Sequence, residues 1–430
     1  MFIIFNRGII MRNQKINIHI RTYAPLLLLI IAAMFIASCD DLLMVDAPTQ
    51  VIAEDLDDPQ FAGLLLNGAI ADFEAAFGSY VVNSGLMGNE LDDATITSTR
   101  WPVPQRIVDA SDSRYANFTP ENLGLYAPLS TARWAADNVL KKLEGWTDAQ
   151  VENRQQRIAT AAAYSGYSHL LLAEGFCTIA IDLSPELQPN QVFEMAEAKF
   201  TRAIEAARTT GDSNIENMAL VGRARTRLNL GNTAGALADA QLIPKGFTAY
   251  ARAEDASARR HNRVASQSRQ GFITVAPAYR DLMVGDEPDP RVTVINQNRL
   301  GQDSATEIHS TGKYPTDAAD FPLASWREAY LIRAEVQGGQ TAVGLINDLR
   351  AERNLPAFSS NDATEIRQQV IIERQRELFL ESHHLYDLTR YNLDLIPAPG
   401  TPYPKGGSYG TIRCFPLPNS ERFNNPNIPN

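Results

Sequence analysis

Apolar residues recur at spacings of three and four along most of the chain, and this periodicity predicts helices rather than strands. In the first predicted helix, Asp58-Pro59 supplies an N-cap and a first helical position, and Gly78 is the expected stop. The apolar face between them consists of Phe61, Leu65, Ala69, Phe73 and Ala76. The pattern predicts an all-α fold with minor short strands.

Two more helices are predicted before residue 176. One starts at Thr119-Pro120 and ends near Gly145, with a break or kink at Pro128. The next opens at Thr147, which has capping-box spacing to Gln150, and runs to Gly175. Trp134 and Trp326 both fall on predicted helices, and we expect them in the core.

Residues 196–243 are rich in alanine and carry an internal repeat. The segments AEAKFTRAIEAA and GNTAGALADA share a small-residue pattern about 34 residues apart. This period is similar to that of tetratricopeptide helix pairs, which stack into a superhelix. Ordinary close packing of helices through alanine is the alternative explanation.

Two long segments, 78–118 and 247–322, interrupt the helical pattern. The second has short extended pieces, and we expect strands to be confined to it and to short pairings near the C-terminus. Loops of this length in a folded domain are usually functional or disordered. We therefore expect binding residues in these segments.

Residues 365–391 contain no Gly or Pro, which predicts one long helix or two tightly joined ones. Arg374, Glu377 and Glu381 lie at the edge of its apolar face, where a buried charge requires a partner. We expect Arg374, Arg333 and Arg350 to pair with the two glutamates in a structural ion network. The alternative is a metal site formed by Glu381, His384 and Asp387, and we predict no metal.

The same segment resembles the C-terminal signature of the SusD-like (RagB-like) family. The resemblance is carried by Glu373-Arg374, Glu377-Leu378, Glu381, Asp387-Leu388 and Arg390. Three further segments agree in order and spacing, namely 326–335 (WREAYLIRAE), 347–356 (NDLRAERNLP) and 416–428 (PLPNSERFNNPNI). The chain departs from the family at Ser382, His383 and His384, where the family usually has Gly and then Arg.

The resemblance implies one SusD-like domain over residues 58–430. It would comprise a tetratricopeptide-like helical-repeat part (58–245), an irregular excursion (246–325), and C-terminal helices with a closing tail (326–430). Members of the family are non-enzymatic surface lipoproteins that help TonB-dependent outer-membrane transporters to take up glycans or peptides. We therefore expect a transporter partner, an oligosaccharide or peptide ligand, and no cofactor.

The N-terminal residues have the pattern of a lipoprotein signal peptide. Basic residues precede a 12-residue apolar run, Leu26 to Ala37, which is too short to span a membrane. The sequence Ile36-Ala37-Ser38-Cys39 then predicts cleavage and lipidation at Cys39. The prediction is a signal peptide over 1–38, an acidic tether over 39–57 and an anchor in the outer membrane, with Met1 or Met11 as the start. A retained signal anchor is the alternative.

The charge of the chain restricts its partners. Without residues 1–38 the chain has 35 basic and 50 acidic side chains, a formal charge of −15. Such a charge disfavours nucleic acid and anionic lipid headgroups as partners.

Cys177 and Cys414 are the two cysteines that remain once Cys39 is lipidated. An oxidising compartment allows a disulfide between them, although two free buried thiols are the default expectation.

The candidate ligand site is centred on Trp101. Sugar binding needs a flat aromatic face for the C–H side of a pyranose and carboxylates or amides for its hydroxyls. Trp101 follows Asp92, Asp93 and Arg100 in the 78–118 loop. Further candidates are Tyr80, Tyr115 and, from the later excursion, Tyr279. The alternative is that Trp101 only covers the helical body.

The sequence contains no phosphate-binding Gly-rich loop, nucleophile elbow, His-Glu-x-x-His or Cys-x-x-Cys motif. A hydrolase is therefore the least supported function. The favoured function is a lipid-anchored nutrient-binding subunit, and the second is a helical-repeat scaffold that binds another envelope protein without a small ligand.

Overall fold

The computed structural model describes residues 56–117 and 124–429, and helices dominate these ranges. The α-helices are α1 (Ala62–Met87), α2 (Pro102–Gln105), α3 (Ser113–Ala116), α4 (Tyr126–Gly145), α5 (Arg154–Gly175), α6 (Pro189–Thr210), α7 (Ser213–Asn229), α8 (Thr233–Ala240), α9 (Arg263–Arg269), α10 (Trp326–Gln337), α11 (Gly339–Ala351), α12 (Ala363–Glu377), α13 (His384–Arg390) and α14 (Asn419–Asn424). The predicted all-α class is confirmed. The predicted signal peptide, Cys39 and most of the acidic tether lie outside the described residues.

Helix α1 is a central core helix. Asp58 caps the short 3-10 turn before it by accepting a hydrogen bond from the Gln60 N–H at 2.9 Å. The predicted stop at Gly78 is wrong, because α1 continues to Met87 and is buried almost throughout from Phe73 onward. A Cβ at Gly78 would lie 3.2 Å from Arg263 Cγ, so the glycine admits a neighbouring chain segment. The loop therefore begins about ten residues later than expected.

Helices α4 to α8 pack in sequence order, each against its neighbour, and this confirms the tetratricopeptide-like body. The small residues have a specific role around Phe200 of α6. A Cβ at Gly166 of α5 or Gly222 of α7 would lie 2.7 or 2.4 Å from its ring. The two glycines let both neighbouring helices approach one buried aromatic side chain.

One of the two predicted helix starts needs correction. The Thr119-Pro120 start lies outside the described residues, and α4 begins at Tyr126. Pro128 is thus in the first turn, where its missing N–H breaks no intrahelical hydrogen bond, so it produces no break. Gln150 does accept a hydrogen bond from the Thr147 N–H at 2.9 Å, but this contact closes a turn and α5 starts only at Arg154.

Within residues 56–117 and 124–429, the strands form four antiparallel pairs, β1–β3, β2–β8, β4–β5 and β6–β7. They are β1 (Leu91–Asp93), β2 (Thr248–Ala251), β3 (Ile273–Val275), β4 (Met283–Val284), β5 (Glu287–Pro288), β6 (Val294–Leu300), β7 (Glu307–Thr311) and β8 (Phe321–Ser325). Strand β1 lies outside the region in which strands were expected. Its pairing with β3 joins the 78–118 segment to the later excursion.

The signature segment 365–391 forms two helices, α12 and α13. A tight turn separates them, and Leu380 and Ser382 in that turn have positive φ angles of 56° and 74°. Ser382 occupies the position where the family usually has Gly, a residue that adopts positive φ without steric cost. Ser382 thus adopts a backbone conformation that favours glycine.

A disulfide joins Cys177 to Cys414, with their Cα atoms 5.1 Å apart. The default expectation of two free thiols is thus wrong. The bond links the chain just after α5 to the C-terminal segment, where Cys177 N–H also donates to the Phe415 carbonyl at 2.9 Å. The two cysteines are 237 residues apart in sequence, so no local pattern could predict that they pair.

Candidate functional site

Trp101 lies at the start of α2, in the segment between β1 and α4, and its side chain is partly exposed. The indole Nε1 donates a hydrogen bond to the Thr95 carbonyl at 3.1 Å. Ile96 next to this contact is 67% exposed. The ring is therefore held in place from one edge while part of its surface faces solvent.

A buried carboxylate holds the chain that carries Trp101. Asp93 Oδ1 accepts hydrogen bonds from Thr95 N–H at 2.8 Å and from its hydroxyl at 2.7 Å. Asp93 Oδ2 accepts from Arg100 Nε at 3.0 Å, and the guanidinium also donates to Gln267 Oε1 at 3.1 Å. Asp93 and Arg100, which were both predicted as ligand-binding residues, thus form a salt bridge with each other. Their role in the structure is to position Trp101.

Lys405 completes this arrangement, and the sequence analysis missed it. Its ammonium group donates to the Thr95 carbonyl at 2.9 Å and lies 3.0 Å from Asp303 Oδ2. Gln105 and Arg106 also contact the 396–410 segment, through the carbonyls of Gly406 at 2.8 Å and Gly410 at 3.3 Å. These contacts span about 300 sequence positions, so no local pattern could reveal them.

Asp92 remains a candidate for hydroxyl recognition. It is partly buried and, within the described residues, accepts no hydrogen bond from another side chain or backbone N–H. Burial raises the pKa of the Asp92 carboxyl to about 6, against the opposing effects of Arg280 and Lys405. A carboxylate in this environment gains from a hydroxyl donor.

The three predicted tyrosines are unavailable to a ligand. Tyr80 is in α1 and Tyr115 donates its hydroxyl to the Pro416 carbonyl at 2.9 Å; both are at most 2% exposed. Tyr279 stacks on Phe379 with ring centroids 4.8 Å apart and is also buried. Their assignment as ligand-binding residues is wrong, because the helical body and the tail cover them.

Trp134 was expected in the core but is 55% exposed on α4. Trp326 is buried as expected. The buried stripe of α4 runs at helical spacing through Leu129, Arg133, Ala136 and Leu140, and Trp134 falls beside it. Closer use of that periodicity would have predicted its exposure.

The buried ion network is centred on Glu373. Arg350 donates to Glu373 Oε1 at 2.6 Å, and Arg291 contacts the other carboxylate oxygen. Arg291 also forms a two-bonded pair with Asp289, with both distances 2.8 Å. All four side chains are buried, which gives the charges the partners they need.

The predicted partners of Glu377 and Glu381 are wrong. Glu377 lies 3.4 Å from both Arg291 and Arg327, while Glu381 pairs with Lys313. Of the arginines expected to pair with them, Arg374 binds Asp387 at 2.7 Å.

The other two expected arginines also lie elsewhere. Arg350 binds Glu373, and Arg333 stacks over the Tyr330 ring. The cations that replace them come from the 246–325 excursion and α10, so their pairing depends on tertiary packing.

The three residues considered as metal ligands are held in other contacts. Glu381 pairs with Lys313, and Asp387 accepts hydrogen bonds from Arg374 and Arg390 at 2.7 and 3.0 Å. His384 is buried, and burial lowers the pKa of its imidazole to about 4. In the part of the chain that the structure describes, His, Cys, Asp and Glu side chains form no group suited to a metal ion.

Comparisons with known structures agree with this fold. Structures of SusD superfamily proteins from Bacteroides vulgatus and Bacteroides fragilis share the fold, with TM-scores of 0.69 and 0.65. The Bacteroides vulgatus protein is 16% identical to this chain, and the alignment covers 86% of this chain and 98% of that protein. The Bacteroides fragilis protein is 15% identical, and the alignment covers 87% of this chain and 99% of that protein. A laminarin-binding SusD-like protein has a TM-score of 0.63 at 15% identity, over 86% of this chain and 98% of its own. A search of curated proteins found no match.

The fold is therefore that of the SusD superfamily, a helical repeat body with long irregular loops. Residues 309–428, which include α10 to α13 and the closing tail, match the model of the SusD family. Together with the shared fold, this match confirms the resemblance in the signature motifs. Residues 309–428 are thus similar to the SusD family, and the described chain shares the fold of SusD superfamily structures.

Proposed function

We propose that this protein is a lipid-anchored outer-membrane subunit that binds a nutrient glycan and delivers it to a TonB-dependent transporter. The observation that carries the proposal is the partly exposed indole of Trp101, fixed by its hydrogen bond to Thr95. An immobilised aromatic face binds the C–H side of a sugar without losing much conformational entropy on association.

The surroundings of the ring support a glycan over an apolar ligand. Asp92 supplies a carboxylate without a hydrogen-bonded partner in the described chain, and the Lys405 ammonium lies 3.3 Å from Asp93 and 3.0 Å from Asp303. The Trp101 indole N–H and the Lys405 ammonium both donate to the Thr95 carbonyl, so a charged group lies near the aromatic side chain, as a pyranose site requires. The laminarin-binding SusD-like relative of the same fold adds support.

Anchoring and delivery rest on the sequence motifs and the family. The lipobox ending at Cys39 supports an acylated N-terminus, and the acidic surface requires that acyl chains rather than basic residues hold the protein at the membrane. The described residues carry no motif that would favour catalysis, so the proposal is non-enzymatic. A peptide ligand and a scaffold without a small ligand are the competing functions.

One experiment separates these functions. The lipidated protein is purified from native outer membranes, its co-purifying proteins are identified, and it is applied to glycan and peptide arrays. The proposal predicts a co-purifying TonB-dependent transporter and glycan signals that Trp101→Ala removes. Tyr250→Ala is the matched control, because Tyr250 is a 43% exposed aromatic residue on β2. Peptide signals alone, or a partner protein with no array signal, would contradict it.

A further inference from the structure

An exposed tryptophan lies in a depression of mixed polarity formed by α4, α14 and the end of α3. Trp134 of α4 is 55% exposed, which is a large apolar area to leave in water. The depression has a volume of about 380 Å³ and brings Trp134 together with Ser130, Thr131, Glu421 and Asn424. None of these residues belongs to the Trp101 site.

The chemistry of the depression is that of a sugar site. The indole offers a flat apolar face, and two hydroxyls, an amide and a carboxylate surround it. Burial raises the pKa of the Glu421 carboxyl against the opposing effects of the Tyr126 hydroxyl and Arg133, and a further hydroxyl donor would stabilise its charged form. Thr131, which also lines the depression, is exposed.

We propose that this depression, defined by Trp134, Thr131, Glu421 and Asn424, is a second glycan-binding site. A pyranose ring would stack on Trp134, while its hydroxyls would donate to Glu421 and exchange hydrogen bonds with Asn424 and Thr131. The proposal rests on the proposed function, because the ligand class is the same. A protein partner is disfavoured because the core of a protein interface is apolar and depleted in charge, whereas polar groups surround this indole.

Two separate sites on one chain have a consequence for long ligands. A polysaccharide long enough to reach both sites is held near the second site once it has bound the first. Its effective concentration at the second site is then high, so its overall affinity rises without any new contact. A short oligosaccharide fills each site independently. Short ligands therefore measure the affinity of each site separately, and long ligands measure the combined affinity of both sites.

Calorimetry and tryptophan fluorescence test the proposal with a panel of malto-, laminari-, cello- and xylopentaose. We expect two binding events per chain for the best member of the panel. Trp134→Ala should weaken one of them about tenfold or more, and Glu421→Gln should weaken the same event. Trp101→Ala should weaken the other. Tyr250→Ala controls for the loss of an exposed aromatic residue.

The outcomes separate the second site from the proposed function. If a pentasaccharide binds and Trp134→Ala leaves stoichiometry and affinity unchanged, the second site is refuted and the glycan function stands. If Trp134→Ala only abolishes capture of an envelope protein, the depression is a protein interface and the proposal is wrong. If no pentasaccharide and no array glycan binds the wild-type chain, both the proposed function and the second site fail.

Discussion

Arg100 donates a hydrogen bond from Nε to Asp93 Oδ2 at 3.0 Å, and the receiving side chain is fully shielded from solvent. Lys405 lies 3.3 Å from the other carboxylate oxygen. One buried acid thus fixes both the residue before Trp101 and the C-terminal segment beside it. The candidate site is positioned by charge pairing rather than by regular secondary structure.

Asp93→Ala should destabilise the protein strongly. The substitution removes the carboxylate that pairs with both Arg100 and Lys405, and these two side chains are largely buried. The free energy of unfolding should therefore fall by about 3–5 kcal/mol. Urea denaturation measures the loss. Asp148→Ala is the control, since Asp148 is 72% exposed in its pair with Arg154, and such surface pairs contribute at most about 1 kcal/mol. Equal effects of the two variants would refute this role for Asp93.

Glu90 should make stability fall as pH rises. Burial raises the pKa of its carboxyl from 4.5 to about 7 in the folded chain. Between these values the unfolded chain has lost the proton while the native chain keeps it, so stability decreases with pH and levels off above 7. Glu90→Gln keeps an acceptor for the Leu380 N–H and should remove roughly 3 kcal/mol of that decrease.

Urea denaturation of wild type and Glu90→Gln at several pH values between 4 and 8 measures the difference directly. Glu254→Gln makes the same charge change at the protein surface and serves as control. Parallel curves for wild type and Glu90→Gln would show that Glu90 does not titrate in this range.

The Cys177–Cys414 disulfide should stabilise the fold by restricting the unfolded chain. The loop it closes spans 237 positions, and replacing both cysteines with alanine should cost about 2–5 kcal/mol. Thermal unfolding with and without reductant checks this. Reductant should lower the melting temperature of the wild type and leave the double variant unchanged; a wild type insensitive to full reduction would contradict the expectation.

Cys39→Ser should release the protein from the membrane. The substitution removes the thiol that the predicted lipobox presents for acylation. Fractionation should move the protein from the outer membrane to a soluble fraction, and mass spectrometry should find acyl chains on Cys39 of the wild type only. An unmodified Cys39, or a chain that still carries residues 1–38, would overturn the anchor.

The fold was largely predictable, because helical periodicity is local. The repeat body, the two-helix signature and the need for buried counter-charges all follow from spacings within about 40 residues. The predicted partners were wrong because Arg291 and Lys313 approach Glu377 and Glu381 from a distant segment. The partial exposure of Trp101 was predictable from its polar loop, whereas the contacts of Lys405 and the burial of Tyr115 depend on the C-terminal tail.

Isothermal titration of Trp101→Ala tests the central claim most directly, with the array-positive glycan as titrant and Tyr250→Ala as control. The indole supplies the stacking face, so its loss should weaken binding at the Trp101 site by roughly 1–3 kcal/mol and leave the unfolding transition unchanged. Tyr250→Ala should bind as the wild type does. Wild-type affinity in the Trp101→Ala variant would contradict the account and place glycan binding elsewhere on the chain.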